Sequence, residues 1–212
     1  MMKPKLIGRV VLLVSALAVR AQAQTVELSV GVGGANVTSG SDWWGRGVHS
    51  PAVDGKVGFA FNDRFAIESF VTYGHRSVPV TAYAPFVSGG DTQITEGLYG
   101  VVVRQRVVGA SGSRFHAFVS YGLGGMYSRE SAPARQYQYG RTVVALPAYT
   151  NSQTQGMWFP VGGFAVQQEI ASHLAIRAEG QVVTFFGIPI GGRGSVGLVV
   201  PIGRSPATAS RR

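Results

Sequence analysis

Beyond residue 24 the apolar side chains return at every second position. Val26, Leu28, Val30 and Val32 share one face of an extended segment, with Glu27, Ser29, Gly31 and Gly33 on the other. The next run sets Val53, Gly55, Val57, Phe59 and Phe61 against Ala52, Asp54, Lys56, Gly58 and Ala60. After a short turn at Asn62-Asp63-Arg64, a third run sets Phe65, Ile67, Ser69, Val71 and Tyr73 against Ala66, Glu68, Phe70 and Thr72. A fourth alternates from Thr95 to Arg104, and a fifth sets Phe115, Ala117, Val119, Tyr121 and Leu123 against His116, Phe118, Ser120 and Gly122. The sixth, about Gln155 to Glu169, is apolar on both sides and shows no phase. The seventh sets Leu174, Ile176, Ala178 and Val182 against Ala175, Arg177, Glu179 and Gln181; the eighth sets Val196, Leu198, Val200 and Ile202 against Ser195, Gly197 and Val199. A period of two over eight segments predicts strands, and no stretch carries the helical period.

The links between runs alternate in length. Those after the first, third and fifth runs are long, near 36–50, 74–91 and 130–153, and rich in Gly, Ser, Pro, Thr and Tyr. Those after the second, fourth and sixth are short: Asn62 to Arg64, Val107 to Arg114 and Ala171 to His173. The last, Gly187 to Gly192, is shorter than its class. Long loops at one end and short turns at the other describe an eight-stranded antiparallel up-and-down transmembrane β-barrel, an all-β fold.

The first 23 residues read as an export signal. Lys3, Lys5 and Arg9 precede the apolar stretch Val10–Val19, and Ala21-Gln22-Ala23 is a small-x-small cleavage site. Ten apolar residues do not span a hydrocarbon core that needs roughly 20 in a helix. The expected organisation is a signal peptide at 1–23, cleaved after Ala23, a barrel at 24–203 and a periplasmic tail at 204–212, with the mature protein in the cell outer membrane.

Charge then narrows the reading. The net charge of +9 falls to +5 without the leader, because four of the nineteen basic residues (Lys3, Lys5, Arg9 and Arg20) lie in it. The remaining basic residues are scattered, without the basic stripe of a nucleic-acid surface, so no nucleic-acid partner is expected. There is no cysteine, which excludes disulfides and thiol chemistry.

Alternation alone does not say whether the apolar face turns in, as in a soluble barrel, or out, as in a membrane one. Three features favour the membrane: the export signal, small residues on the charged face that suit a narrow interior, and aromatics at strand ends (Phe59, Phe61 and Phe65 at short turns; Tyr73, Tyr127 and Trp158 near long loops). On this reading Glu27, Asp54, Lys56, Glu68, Glu96, Arg104, Arg177 and Glu179 face the lumen. A charge at the lipid midplane costs about 2–4 kcal/mol, and an unpaired buried charge is costly too. The expectation is a salt-bridged, hydrated plug rather than a wide pore.

With "FVSYGLGGMYSRE", "FPVGGFAVQQEI" and "LAIRAEGQVVTFF" among its alternating segments, the mature chain over about 25–203 resembles small bacterial outer-membrane β-barrels of the OmpA/OmpX and OmpW-like type. The resemblance implies a non-enzymatic barrel with a structural or surface-interaction role through its extracellular loops. It also implies outer-membrane lipid and lipopolysaccharide as neighbours, the barrel assembly machinery as a partner during biogenesis, and a monomer.

Candidate chemistry is sparse. The glycine clusters at 31–34, 122–125 and 191–194 open no helix, so they do not read as phosphate loops. His49, His75, His116 and His173 are far apart without metal spacing, and neither a metal nor a cofactor is expected. His75 and Ser77, with Asp91 downstream, resemble the His-x-Ser pair and acid of an outer-membrane lipid A 3-O-deacylase, with His as base, Ser as nucleophile and the carboxylate as orienter. That hydrolase is one alternative function, and a narrow channel for small or apolar solutes is another. The long loops carry Trp43, Trp44, Tyr83, Phe86, Tyr137, Tyr139 and Tyr149 with Arg46, Arg76, Arg135 and Arg141, a mixture suited to surfaces or to lipopolysaccharide phosphates.

Overall fold

The computed structural model describes residues 25–37, 50–79, 86–110 and 112–202. The leader, the tail from residue 203 and the loop aromatics Trp43, Trp44 and Tyr83 therefore lie outside the described residues, as does Arg46. Eleven strands run through the described residues: β1 Thr25–Val37, β2 Ser50–Ala60, β3 Phe65–Val78, β4 Phe86–Gly89, β5 Thr92–Val108, β6 Phe115–Ala132, β7 Arg135–Tyr139, β8 Thr142–Leu146, β9 Tyr149–Ala171, β10 Leu174–Phe185 and β11 Ile188–Ile202. Eight of them close a barrel in the order β1-β2-β3-β5-β6-β9-β10-β11, every neighbouring pair antiparallel. This is the eight-stranded up-and-down fold that the alternation predicts.

Exposure settles which face turns outward. Val30, Val32, Val71, Tyr121, Phe164 and Val196 are more than half exposed on the outer wall, at 69, 65, 55, 52, 67 and 54%. Lys56, Glu68, Arg104, Arg177 and Glu179 are buried on the opposite face. Apolar side chains outside and charges inside is the inversion that lipid demands. Closure also pairs the backbone groups along both edges, which hydrocarbon would otherwise leave unsatisfied.

The short turns are fixed by local chemistry. At the β2–β3 turn the Asn62 Oδ1 accepts the N–H groups of Arg64 and Phe65 at 2.8 and 2.9 Å, an Asx arrangement that substitutes for a backbone turn. The β10–β11 connection is tighter than the expected link at 187–192. It is a two-residue turn, with Phe186 at φ 48° and Gly187 at φ 80°, and β11 starts already at Ile188. Two positive φ values match the twist of the flanking strands.

Two long links are not loops throughout. β4, β7 and β8 form a separate three-stranded sheet in the order β4-β7-β8. It continues the barrel wall in register. In the β6–β9 hairpin Ala132 pairs with Tyr149, and three residues further on each strand Arg135 pairs with Leu146 in β7–β8. On the other side Gln93 pairs with Ser131, and four residues further Gly89 pairs with Arg135. The ladder is broken on all three strands along one line, at Gly90-Asp91, Pro133-Ala134 and Pro147-Ala148. Proline cannot donate to a ladder. The long-loop end thus carries a three-stranded arm, creased where it leaves the barrel.

Candidate functional site

Alternation places one lumen residue at every second position of each strand, and the charges among them assemble across the interior. Nearer the short-turn end, Glu27 of β1, Glu68 of β3, Arg104 of β5 and Arg177 of β10 form a closed ring. Arg104 Nη1 lies 2.7 Å from Glu27 and 2.6 Å from Glu68. Arg177 completes the ring, with Nη2 2.8 Å from Glu27 and Nη1 2.6 Å from Glu68. Gln167 Oε1 accepts two further hydrogen bonds from Arg177 at 3.0 and 2.8 Å. The Phe118 ring lies 4.5 Å from the Arg104 guanidinium, within cation–π range.

A second ring follows one step outward. Lys56 of β2 pairs with Glu179 of β10 and lies 3.5 Å from Asp54. Arg193 of β11 returns to both acids, at 2.6 Å from Glu179 and 3.3 Å from Asp54. The Gln181 Oε1 accepts from Arg193 at 3.1 and 3.0 Å, and Phe70 stacks 4.6 Å from its guanidinium. Each ring alternates two acids with two cations and is neutral. Gly31 makes the second possible, since a Cβ there would stand 2.5 Å from Asp54 Oδ1.

Beyond the second ring the lumen turns apolar. Phe70, Leu98, Val102, Met126, Val161 and Ile190 pack with Ala35, Ala52 and Val183 into one buried cluster, in which Leu98, Val102 and Met126 are only 1% exposed. Outside it, Arg76 Nη2 lies 3.5 Å from Glu96. At the short-turn end the first ring floors an open recess of about 470 Å³, where His116 Nε2 lies 3.5 Å from Glu169 and Arg106 lies 3.8 Å from Asp63.

All eight charges expected in the lumen lie there. Arg193 and Arg76, which complete their pairing, are not among them. Arg193 falls between the link read at 187–192 and the eighth run from Ser195, and Arg76 in a stretch read as a loop. The signal lay in the count: three expected cations faced five acids, two acids too many. Other loop readings change as well. Arg135 is buried, donating to Gly90 O at 3.4 Å and to Thr92, and the Tyr149 hydroxyl donates to Glu130 at 2.5 Å.

The His75, Ser77 and Asp91 constellation does not come together as base, nucleophile and orienter. His75 and Ser77 lie inside β3, not in a loop. Ser77 Oγ donates to Asp91 at 2.9 Å and accepts from Gln93 at 3.0 Å, while His75 Nδ1 sits 3.2 Å from Thr95 Oγ1. Same-face neighbours on a strand stand two residues apart, so His75 and Ser77 project side by side.

These residues belong to a larger polar surface on the outer wall. His75 pairs with Thr95, Thr95 with Arg129 and Arg129 with Ser152, one row across four strands. Ser77, Gln93, Ser131 and Thr150 form the next. Directly below, Tyr73, Gly97, Tyr127 and Thr154 close the apolar band. The opposite wall differs, since β10 and β11 meet at a tip where Phe159, Phe185 and Phe186 stack edge to face.

Residues 10–196 match the family model of the outer membrane protein beta-barrel domain. The chain belongs to this outer-membrane β-barrel family. Its place is accordingly the outer membrane, where the short turns of such barrels face the periplasm and the longer connections the exterior. No curated protein matches the chain in sequence. Among solved structures, the barrel is similar to Ail, the attachment invasion locus protein of Yersinia pestis, at 11% identity and a TM-score of 0.53, over 84% of this chain and 99% of that one. The same protein in complex with the heparin analogue sucrose octasulfate aligns at 11% identity and a TM-score of 0.55, over 84% and 98%. The outer membrane protein OprG from Pseudomonas aeruginosa aligns at 10% identity and a TM-score of 0.50, over 85% and 98%. At these identities the likeness is one of fold.

Proposed function

We propose that this barrel is non-enzymatic and non-conducting, and that it works through contacts made by its outer end. The observation that carries this reading is the filled lumen. Two neutral charge rings and an apolar cluster occupy the interior, while β5, β6 and β9 run on for 17, 18 and 23 residues. About 9–11 tilted residues suffice to cross a bilayer, so the excess builds structure at the cell surface. Ail, a barrel of similar fold, has been crystallised in complex with the heparin analogue sucrose octasulfate. The hydrolase alternative finds little support in a His75 bonded to Thr95 and a Ser77 bonded to Asp91. The proposal includes export by a leader cleaved after Ala23, insertion by the barrel assembly machinery, and lipopolysaccharide as the lipid neighbour.

Planar-bilayer recordings test it. The purified barrel is expected to give no unitary conductance, and reproducible steps would overturn the sealed-lumen reading in favour of the narrow channel. Lipid A from cells producing the wild type or His75→Ala is expected to be identical by mass spectrometry. Loss of an acyl chain with the wild type alone would establish the hydrolase.

A further inference from the structure

The polar rows above the tyrosines are confined to one side of the barrel and to one height. On β3 the outward face from Phe65 to Tyr73 covers nine residues, the length of a membrane-crossing strand, which needs about 9–11. Tyr73 is 55% exposed, as an interfacial aromatic should be. His75 is therefore the first outward side chain past the hydrocarbon, at the level of lipid headgroups, and Arg129 and Ser152 share its row. Strands set about 4.8 Å apart make this a flat lattice. Its hydroxyls and amides can both donate and accept, the chemistry that matches sugar hydroxyls. Arg129 is exposed and makes no ion pair or side-chain hydrogen bond among the described residues. An arginine fork held over a headgroup layer is a phosphate ligand in waiting. The tip of the β10–β11 hairpin is aromatic instead, with Phe185 and Phe186 edge to face.

We propose that this platform binds the phosphorylated sugar headgroup of a lipopolysaccharide molecule in the surrounding outer leaflet. Arg129 takes the phosphate, and His75, Gln93, Ser131 and Ser152 take the sugar hydroxyls. The site rests on the outer-membrane, surface-contact reading above and gives it a specific lipid partner and a specific wall.

The full-length protein in phosphatidylglycerol nanodiscs doped with lipopolysaccharide provides the test. After extraction into mild detergent, the lipopolysaccharide retained per barrel is measured by mass spectrometry. The wild type is expected to retain about tenfold more than Arg129→Ala, the effect of losing one charge-assisted contact, and Arg129→Lys to fall between them. Arg114→Ala, an exposed arginine at the short β5–β6 turn on the opposite end, is expected to match the wild type. Dephosphorylated lipid A should be retained no better by the wild type than by Arg129→Ala. A boiled and an unboiled sample of each variant on a detergent gel confirms folding, and Arg129 supports none of the buried packing. Equal retention by the wild type and Arg129→Ala overturns the proposal, as does an equal loss in Arg114→Ala, which would make the effect one of overall charge. Conductance is independent of this readout. A silent barrel without selective retention refutes the platform alone, and a conducting barrel with it refutes the sealed lumen alone.

Discussion

In the inner half of the lumen, eight charged side chains are tied into two rings that reach across strands as distant as β3 and β10, on opposite sides of the barrel. A few residues further along the same strands, the space is filled by Phe70, Leu98, Met126 and their neighbours with no polar contact among them. Both halves exclude a pore, but they specify the barrel differently. Ion pairs with hydrogen-bond geometry hold particular strands at particular heights, and a missing member leaves a buried charge without its counterion. Apolar packing asks for volume and shape and accepts similar substitutes.

Breaking each half should expose that difference, read as the urea midpoint of unfolding in micelles. The largest effect is expected for Glu68→Ala, which leaves Arg104 and Arg177 sharing Glu27; removing one member of a buried pair costs about 3–5 kcal/mol. Leu98→Ala should cost about 2–4 kcal/mol through the cavity it opens, and Leu98→Met less than about 1.5 kcal/mol. An unchanged midpoint for Glu68→Ala beside a large loss for Leu98→Ala would reverse the ranking. Gly31→Ala sharpens the comparison, because its Cβ pushes only on Asp54 of the second ring; overpacking of this kind costs about 1–3 kcal/mol. Least is expected of Asp63→Ala, whose 3.8 Å partner Arg106 sits at the open mouth, where such pairs contribute about 0–1 kcal/mol.

The same difference explains what can be read from the chain. Where the lumen is ionic, alternation is sharp, and Glu27, Lys56, Glu68, Arg104 and Arg177 declare their face without any structure. Where it is apolar, alternation fades. Val161 and Ala165 face inward while Phe164 and Val166 face lipid, so β9 is apolar on both sides and shows no phase. Arg193 shares its parity with Ser195 and Gly197 but lies among glycines at 191, 192 and 194, which have no side chain to mark a face. The arm escapes for a third reason. β8 is exposed or half-exposed throughout, so neither of its faces is selected for burial. The likeness of His75, Ser77 and Asp91 to a hydrolase set was one of spacing alone, and spacing does not show the cross-strand partners: His75 meets Thr95, while Ser77 meets Asp91 and Gln93.

The hairpin that runs from β6 through the arm and back along β9 keeps one register across the crease. Its single correction comes between Gly124 and Met126, where β9 advances two residues more than β6: Gly124 pairs with Phe159 and Met126 with Gln155. Two is the smallest offset that returns every side chain to its own side of the wall, since a slip of one would send the lumen set into lipid and the lipid set into the lumen. A two-residue insertion or deletion within these paired strands would therefore keep both faces, whereas a change of one would need a bulge or the turn at Gly140-Arg141 to absorb it.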